Sequence, residues 1–293
     1  IAWEAVARKQ EYIYGPVFFW LSAGWMQIWG FGLWQYRLFV LLSGYTCLAL
    51  AVAVYQKSAA ANEQTAWWLA VFLSLDPLWF RAMHQGRMDF TALACLLGSW
   101  LLAHPRTWRR SIATPAIKWL ASGGLFALAM LTTPRAGFSL PAFLLAIFFH
   151  QKNIHPQKKL VTLLLWLLPL LVLYPLWIAW AFGGMERFLA LYLDQAPAFT
   201  KAGHRLFFIH KVQWPLFAVG IVALAAGVWG YGKRFIDFNL LMAVPWLLAF
   251  YTIVHDTGPY GVFTVFCFYL FIFRLWAGAR GQALRQASSA WRS

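Results

Sequence analysis

Long apolar runs separated by short polar loops dominate this chain, and their lengths suit a bilayer better than a soluble core. A helix needs about 20 mostly apolar residues to cross the hydrocarbon layer. Runs near that length recur at roughly 36–55, 65–82, 90–104, 115–132, 136–150, 160–182, 214–231, 237–254 and 260–278. The pattern predicts nine transmembrane helices, the fifth being short for a crossing. One further segment, "PVFFWLSAGWMQIWG" at 16–30, is shorter and carries three tryptophans between Pro16 and Gly30. Tryptophan favours the boundary between lipid and water, so this segment is predicted to lie flat as an interfacial helix. The expected fold class is therefore all-α, a polytopic integral membrane protein. Three regions are expected: a first-loop segment at 1–35, a transmembrane domain at 36–278 and a basic tail at 279–293. No internal repeat is visible.

Composition agrees. The 293 residues are 62% hydrophobic and 11% charged, against about 45–50% apolar and about 25% charged in ordinary soluble domains. A net charge of +15 would suit a nucleic-acid partner if it formed one basic face. Instead it is dispersed in short clusters between apolar runs: Lys57, Arg106/Arg109/Arg110, Lys152/Lys158/Lys159, Lys233/Arg234 and Arg280/Arg285/Arg292. Such clusters mark cytoplasmic loops, and most of the acidic residues then fall on the outer side. No nucleic-acid partner is expected. This orientation puts residue 1 outside, the tail in the cytoplasm and the whole chain in the inner membrane. An outside start without a signal peptide points to a further helix upstream of Ile1. Cys47, Cys95 and Cys267 lie inside apolar runs and have no metal-ligand spacing. No cofactor is called for, although a divalent metal is left open.

Ionisable groups at membrane depth tend to face a bundle interior or a wet cavity. The sharpest candidate is Asp89 in "HQGRMDFTALACLLGSWLLA", with Arg87 two residues before it. Asp89 also suits a helix N-cap, accepting the amide of Thr91 or Ala92. The cap and a cavity role are compatible. Arg87 could equally snorkel to headgroups. Arg135, in the tight turn "LTTPRAGFSLP", is held near the outer surface, where its planar fork matches phosphate oxygens or any lipid headgroup. His84 belongs to the same outer charged patch as Asp89. Lys211 falls in the long mixed loop at 183–213, and His255 begins the last outer turn, where a simple turn role competes. No HExxH, GxSxG, Walker or GxGxxG motif stands in a usable context.

These segments together resemble the GT-C glycosyltransferases, in the branch of protein mannosyltransferases and aminoarabinose transferases. "EYIYGPVFFWLSAGWMQIWGFGLWQYRLFVLLSG" resembles that branch's first loop, with Arg37-Leu38 opening the next span. "HQGRMDFTALACLLGSWLLA" resembles its second acidic site, and "LTTPRAGFSLPAFLL" its "LTK/LT-x-G" turn. The resemblance covers about residues 1–150. It implies a membrane transferase that moves a sugar from a polyprenyl-phosphate carrier to a lipid, glycan or protein acceptor on the extracytoplasmic face. Asp89, with Arg87, matches the second acidic position. Arg135 matches the basic residue that holds lipid phosphate. Tyr14, Arg37, His84, Lys211 and His255 complete the expected substrate-binding set. The family's principal acid would lie upstream of Ile1. Tyr14-Gly15-Pro16 departs from the lysine and paired prolines of the aminoarabinose enzymes, so the sugar is left unassigned.

Two other classes fit the spans: a transporter or lipid flippase, and a non-catalytic assembly subunit. A transporter would place ionisable groups near the midplane, often in repeated halves. Here the charges gather at one face, which favours the enzyme.

Overall fold

A computed structural model describes residues 15–59, 63–84, 88–104, 115–150 and 156–191, with positions 263, 265–267, 269, 270, 272, 273 and 276. Among the described residues every regular element is helical. In chain order they are α1 (Val17–Trp29), α2 (Leu33–Ala59), α3 (Glu63–Leu75), α4 (Pro77–His84), α5 (Asp89–Ala103) and α6 (Pro115–Met130). A 3-10 turn (Pro134–Ser139), α7 (Leu140–His150) and α8 (Pro156–Phe182) follow. A short helix then covers 185–191. The spans expected at 214–231 and 237–254 lie outside the described residues. That at 260–278 falls within them only in part.

α1 begins after Pro16 and stops at Gly30, whose φ of 89° is a left-handed value that favours glycine. These are the two boundaries expected for the interfacial helix. The Trp25 indole donates to the Gln35 carbonyl at 2.9 Å, tying α1 back onto the start of α2. α2 and α8 are each long and apolar enough to cross a bilayer. α5, α6 and the turn with α7 form shorter apolar helices.

Two expectations change. The second span is not continuous. It breaks between α3 and α4 at Asp76-Pro77, where the Asp76 carboxylate accepts the Trp79 amide at 3.1 Å and proline takes the first helical position. Both are helix-starting features, and together they outweigh the apolar run on either side. The fifth span opens as a tight 3-10 turn and only then becomes α7: Pro141 lacks the N–H that an α-helix would give the Gly137 carbonyl, and the Leu140 amide takes that carbonyl instead.

α5 and α6 form an antiparallel pair that packs along its length, and α6 also packs against α8. At the centre of these three helices Ser122 is a polar junction. Its Oγ donates to the Ser99 carbonyl at 2.8 Å, lies 3.1 Å from Ser99 Oγ and accepts the Trp166 indole N–H at 3.0 Å. Gly123 beside it lies so close to the Trp166 carbonyl that a Cβ would collide with backbone. Aromatic rings fill the surroundings: Phe143 stacks on Trp166 at 5.3 Å and Phe126 lies at 4.9 Å. A second apolar cluster joins Val17 of α1 to Leu131, Trp177, Ile178, Phe182 and Phe188.

Candidate functional site

The register of α5 against α6 decides what stands beside Asp89. Ser99 faces Ser122. Equal steps from that contact, toward the start of α5 and the end of α6, bring Asp89 to the level of Thr132. The turn that carries Arg135 follows at once and packs against both α5 and α6. The same end receives the start of α1: the Val17 amide points to the Leu131 carbonyl at 3.4 Å. Gly15 lies directly on that carbonyl, leaving no room for a Cβ. Three stretches far apart in sequence, 15–17, 88–91 and 131–135, thus meet at one end of the bundle.

Asp89 is 1% exposed, a buried carboxyl in the first turn of α5. The cap position belongs to Met88, whose carbonyl accepts the Ala92 amide at 3.1 Å. The expected N-cap assignment therefore moves by one residue, and Asp89 is the first residue of the helix proper. Its carboxylate there gains from the partial positive charge of the helix start. Phe90 beside it is clamped from two sides. The Trp79 ring meets its ring edge-on at 4.9 Å, and the Cys47 thiol donates to its carbonyl at 2.9 Å.

Arg135 is partly exposed, and its Nη1 nitrogen is buried in the packed turn. Thr132 donates its hydroxyl to the Leu128 carbonyl at 2.8 Å. Thr133 is 0% exposed and occupies the cap position of the turn without making a side-chain cap. Among the described residues its hydroxyl has no partner. Nothing in the sequence around it singles this threonine out.

The other expected site residues divide. Arg37 is exposed near the start of α2, over the Trp34 ring at 5.9 Å, and is not part of the buried group. His84 is exposed at the end of α4. Its Nδ1 lies 2.8 Å from the Phe80 carbonyl and its ring 4.2 Å from that of Phe80. Tyr14, Arg87, Lys211 and His255 lie outside the described residues. Asp76, in the sequence only a charge near a span end, is buried and shared between Trp79 and Tyr269. The signal for it was present, since Asp-Pro is a helix-start dipeptide. Among the described residues no group of three or more His, Cys, Asp or Glu could hold a metal ion.

A buried acid and an arginine-bearing turn stand at one end of an apolar helical bundle, with an aromatic helix docked beside them; the chain is a polytopic membrane protein, and its family and structural matches are those of the GT-C architecture. Residues 14–180 match the model of the dolichyl-phosphate-mannose-protein mannosyltransferases, more than half of the chain, and the chain belongs to that family. The match takes in Asp89 and Arg135. Among solved structures, ArnT from Cupriavidus metallidurans bound to undecaprenyl phosphate is similar with a TM-score of 0.52 and 19% identity. The alignment covers 91% of this chain and 50% of that one, so the chain spans about half the length of its structural relative. At that identity the likeness is one of fold. No curated protein matches the chain.

Proposed function

We propose that the protein is a membrane glycosyltransferase, moving a sugar from a polyprenyl-phosphate carrier to a lipid, glycan or protein acceptor on the extracytoplasmic face of the inner membrane. The observation that carries this reading is a buried carboxyl, Asp89, on a helix that packs against the Arg135 turn, in a chain of this family. That the similar ArnT structure holds undecaprenyl phosphate supports a carrier of the same chemistry here.

The transfer breaks the bond between the sugar's anomeric carbon and a phosphate oxygen while an acceptor oxygen attacks that carbon. The phosphate leaves with additional negative charge, and a fixed cation aimed at it stabilises the transition state. Arg135 takes this role, because its fork can hold two phosphate oxygens at once. The acceptor's proton must pass to a carboxylate. In this scheme Asp89 is the carboxylate of this chain that orients the acceptor for that transfer.

Asp89→Asn separates this role from a structural one. The amide preserves size and loses charge; the lost attraction to the helix dipole by itself costs about 0.3–1 kcal/mol. Turnover with a polyprenyl-phosphate sugar should fall by about 10²-fold or more. A folded Asp89→Asn protein that transfers sugar at the wild-type rate would remove Asp89 from the mechanism.

A further inference from the structure

An N-cap needs one acceptor, yet Asp76 uses two. Its Oδ1 takes the Trp79 amide at 3.1 Å, while its Oδ2 faces the Tyr269 hydroxyl at 3.3 Å, on the last span and outside the family match. We infer that the Tyr269–Asp76 contact is a positioning link through which the last span sets where Asp89 stands. The inference rests on the function proposed above.

The path from this contact to the site is short. Asp76 is buried at the break between α3 and α4, and its carbonyl accepts the Phe80 amide at 2.9 Å, so it fixes the direction in which α4 leaves. α4 presents Trp79, wholly buried, whose ring meets Phe90 at 4.9 Å. It also presents Met83, whose side chain fills the space over Gly44 of α2. Phe90 is the residue after Asp89, and the Cys47 thiol holds its carbonyl from the other side. A shift of α4 therefore moves Phe90, and Asp89 with it. The last span is itself anchored. The Tyr55 hydroxyl donates to the Phe273 carbonyl at 2.7 Å, and Phe72 of α3 lies against the rings of Tyr269 and Phe273 at 6.4 and 5.7 Å. Tyr269 thus approaches Asp76 from a fixed support. Displacements of about 1 Å at a reacting centre can lower the rate about 10²-fold, so a modest release of α4 has a measurable effect.

Two substitutions cut the link from opposite ends and spare the cap. Asp76→Ser keeps a capping oxygen but is too short for Tyr269, and Tyr269→Phe removes only the hydroxyl. In the full chain, each should speed hydrogen exchange over 77–84 and at the first turn of α5 while leaving α6 and α8 as protected as in wild type. Each should lower kcat about tenfold with the KM for the carrier within about twofold, as expected when an interaction serves the transition state more than ground-state binding. The double variant should be no worse than either single one, because both remove the same contact. Unchanged exchange over 77–84 overturns the inference, as does faster exchange with undiminished kcat, or a loss of protection spread evenly over the bundle. A wild-type protein that transfers no sugar would defeat the proposed function instead, while the exchange comparison would still decide whether the link holds α4.

Discussion

Ser122→Ala strikes the one atom through which three helices share their interior hydrogen bonds. The substitution removes the acceptor of the Trp166 indole N–H and the donor to the Ser99 carbonyl. Hydrogen bonds between transmembrane helices average only about 0.6 kcal/mol, with a maximum near 1.7, because chains unfolded within the membrane find other partners. The greater cost arises in the native state, where the indole N–H is stranded. Trp166 is 0% exposed and packed against the rings of Phe126 and Phe143, so water does not readily replace the lost acceptor. An orphaned buried donor costs about 1–3 kcal/mol. Ser99 adds little, since its hydroxyl can turn to a carbonyl of its own helix. We expect Ser122→Ala to lose about 2 kcal/mol in detergent unfolding followed by circular dichroism. Adding Trp166→Phe, which deletes the stranded N–H, should recover about 1 kcal/mol of coupling in a double-mutant cycle. Stability within about 0.5 kcal/mol of wild type for Ser122→Ala, or strict additivity of the pair, would refute this account of the junction.

Three further outcomes are expected. Arg135→Ala should weaken polyprenyl-phosphate binding by about 1.5–3 kcal/mol, with Arg135→Lys recovering only part because the fork is lost; binding unchanged in Arg135→Ala would free the phosphate from this residue. Thr133→Val, nearly the same shape, should raise the unfolding midpoint, since a buried hydroxyl without a partner is worth about 1–3 kcal/mol to remove; a lower midpoint would mean that the hydroxyl is satisfied after all. In intact cells Thr200→Cys should react with an impermeant thiol reagent and Ser293→Cys should not, and the reverse pattern would put the proposed site on the wrong face.

What the sequence made legible was whatever depends on neighbours along the chain. Pro16 and Gly30 bracket the interfacial helix because a fixed φ and a left-handed residue are local requirements. The apolar runs mark out α2, α5, α6 and α8 to within a few residues at most ends. Asp76-Pro77 was legible too, but the hydropathy of the run masked it, since averaging over a span hides one helix start inside it. The Asp89 cap was displaced by one position for a similar reason. A capping aspartate and a first-turn aspartate read alike until the carbonyl that receives the Ala92 amide is known. Nothing local reveals that Ser99, Ser122 and Trp166 converge, or that Tyr269 reaches Asp76. Those contacts depend on how helices lie against one another, and serine and tyrosine in apolar runs are individually ordinary. Gly15 belongs with them. It looked like a departure from a motif, and it is the residue that lets α1 approach the Leu131 carbonyl.

The docking of α1 on that carbonyl also sets a clock for biogenesis. Val17 leaves the ribosome before its partner Leu131, which is synthesised on the order of ten seconds later at about 5–20 residues per second. Trp177 and Phe182, which complete the cluster, come later still. Through that interval α1 can lean on the start of α2, through the Trp25–Gln35 bond, but not on the cluster that later covers Val17. Trp20, Ile28 and Trp29, which remain exposed even in the finished fold, give the nascent helix an apolar face suited to a headgroup layer. A membrane surface is the natural resting place for such a face until the rest of the bundle has been made.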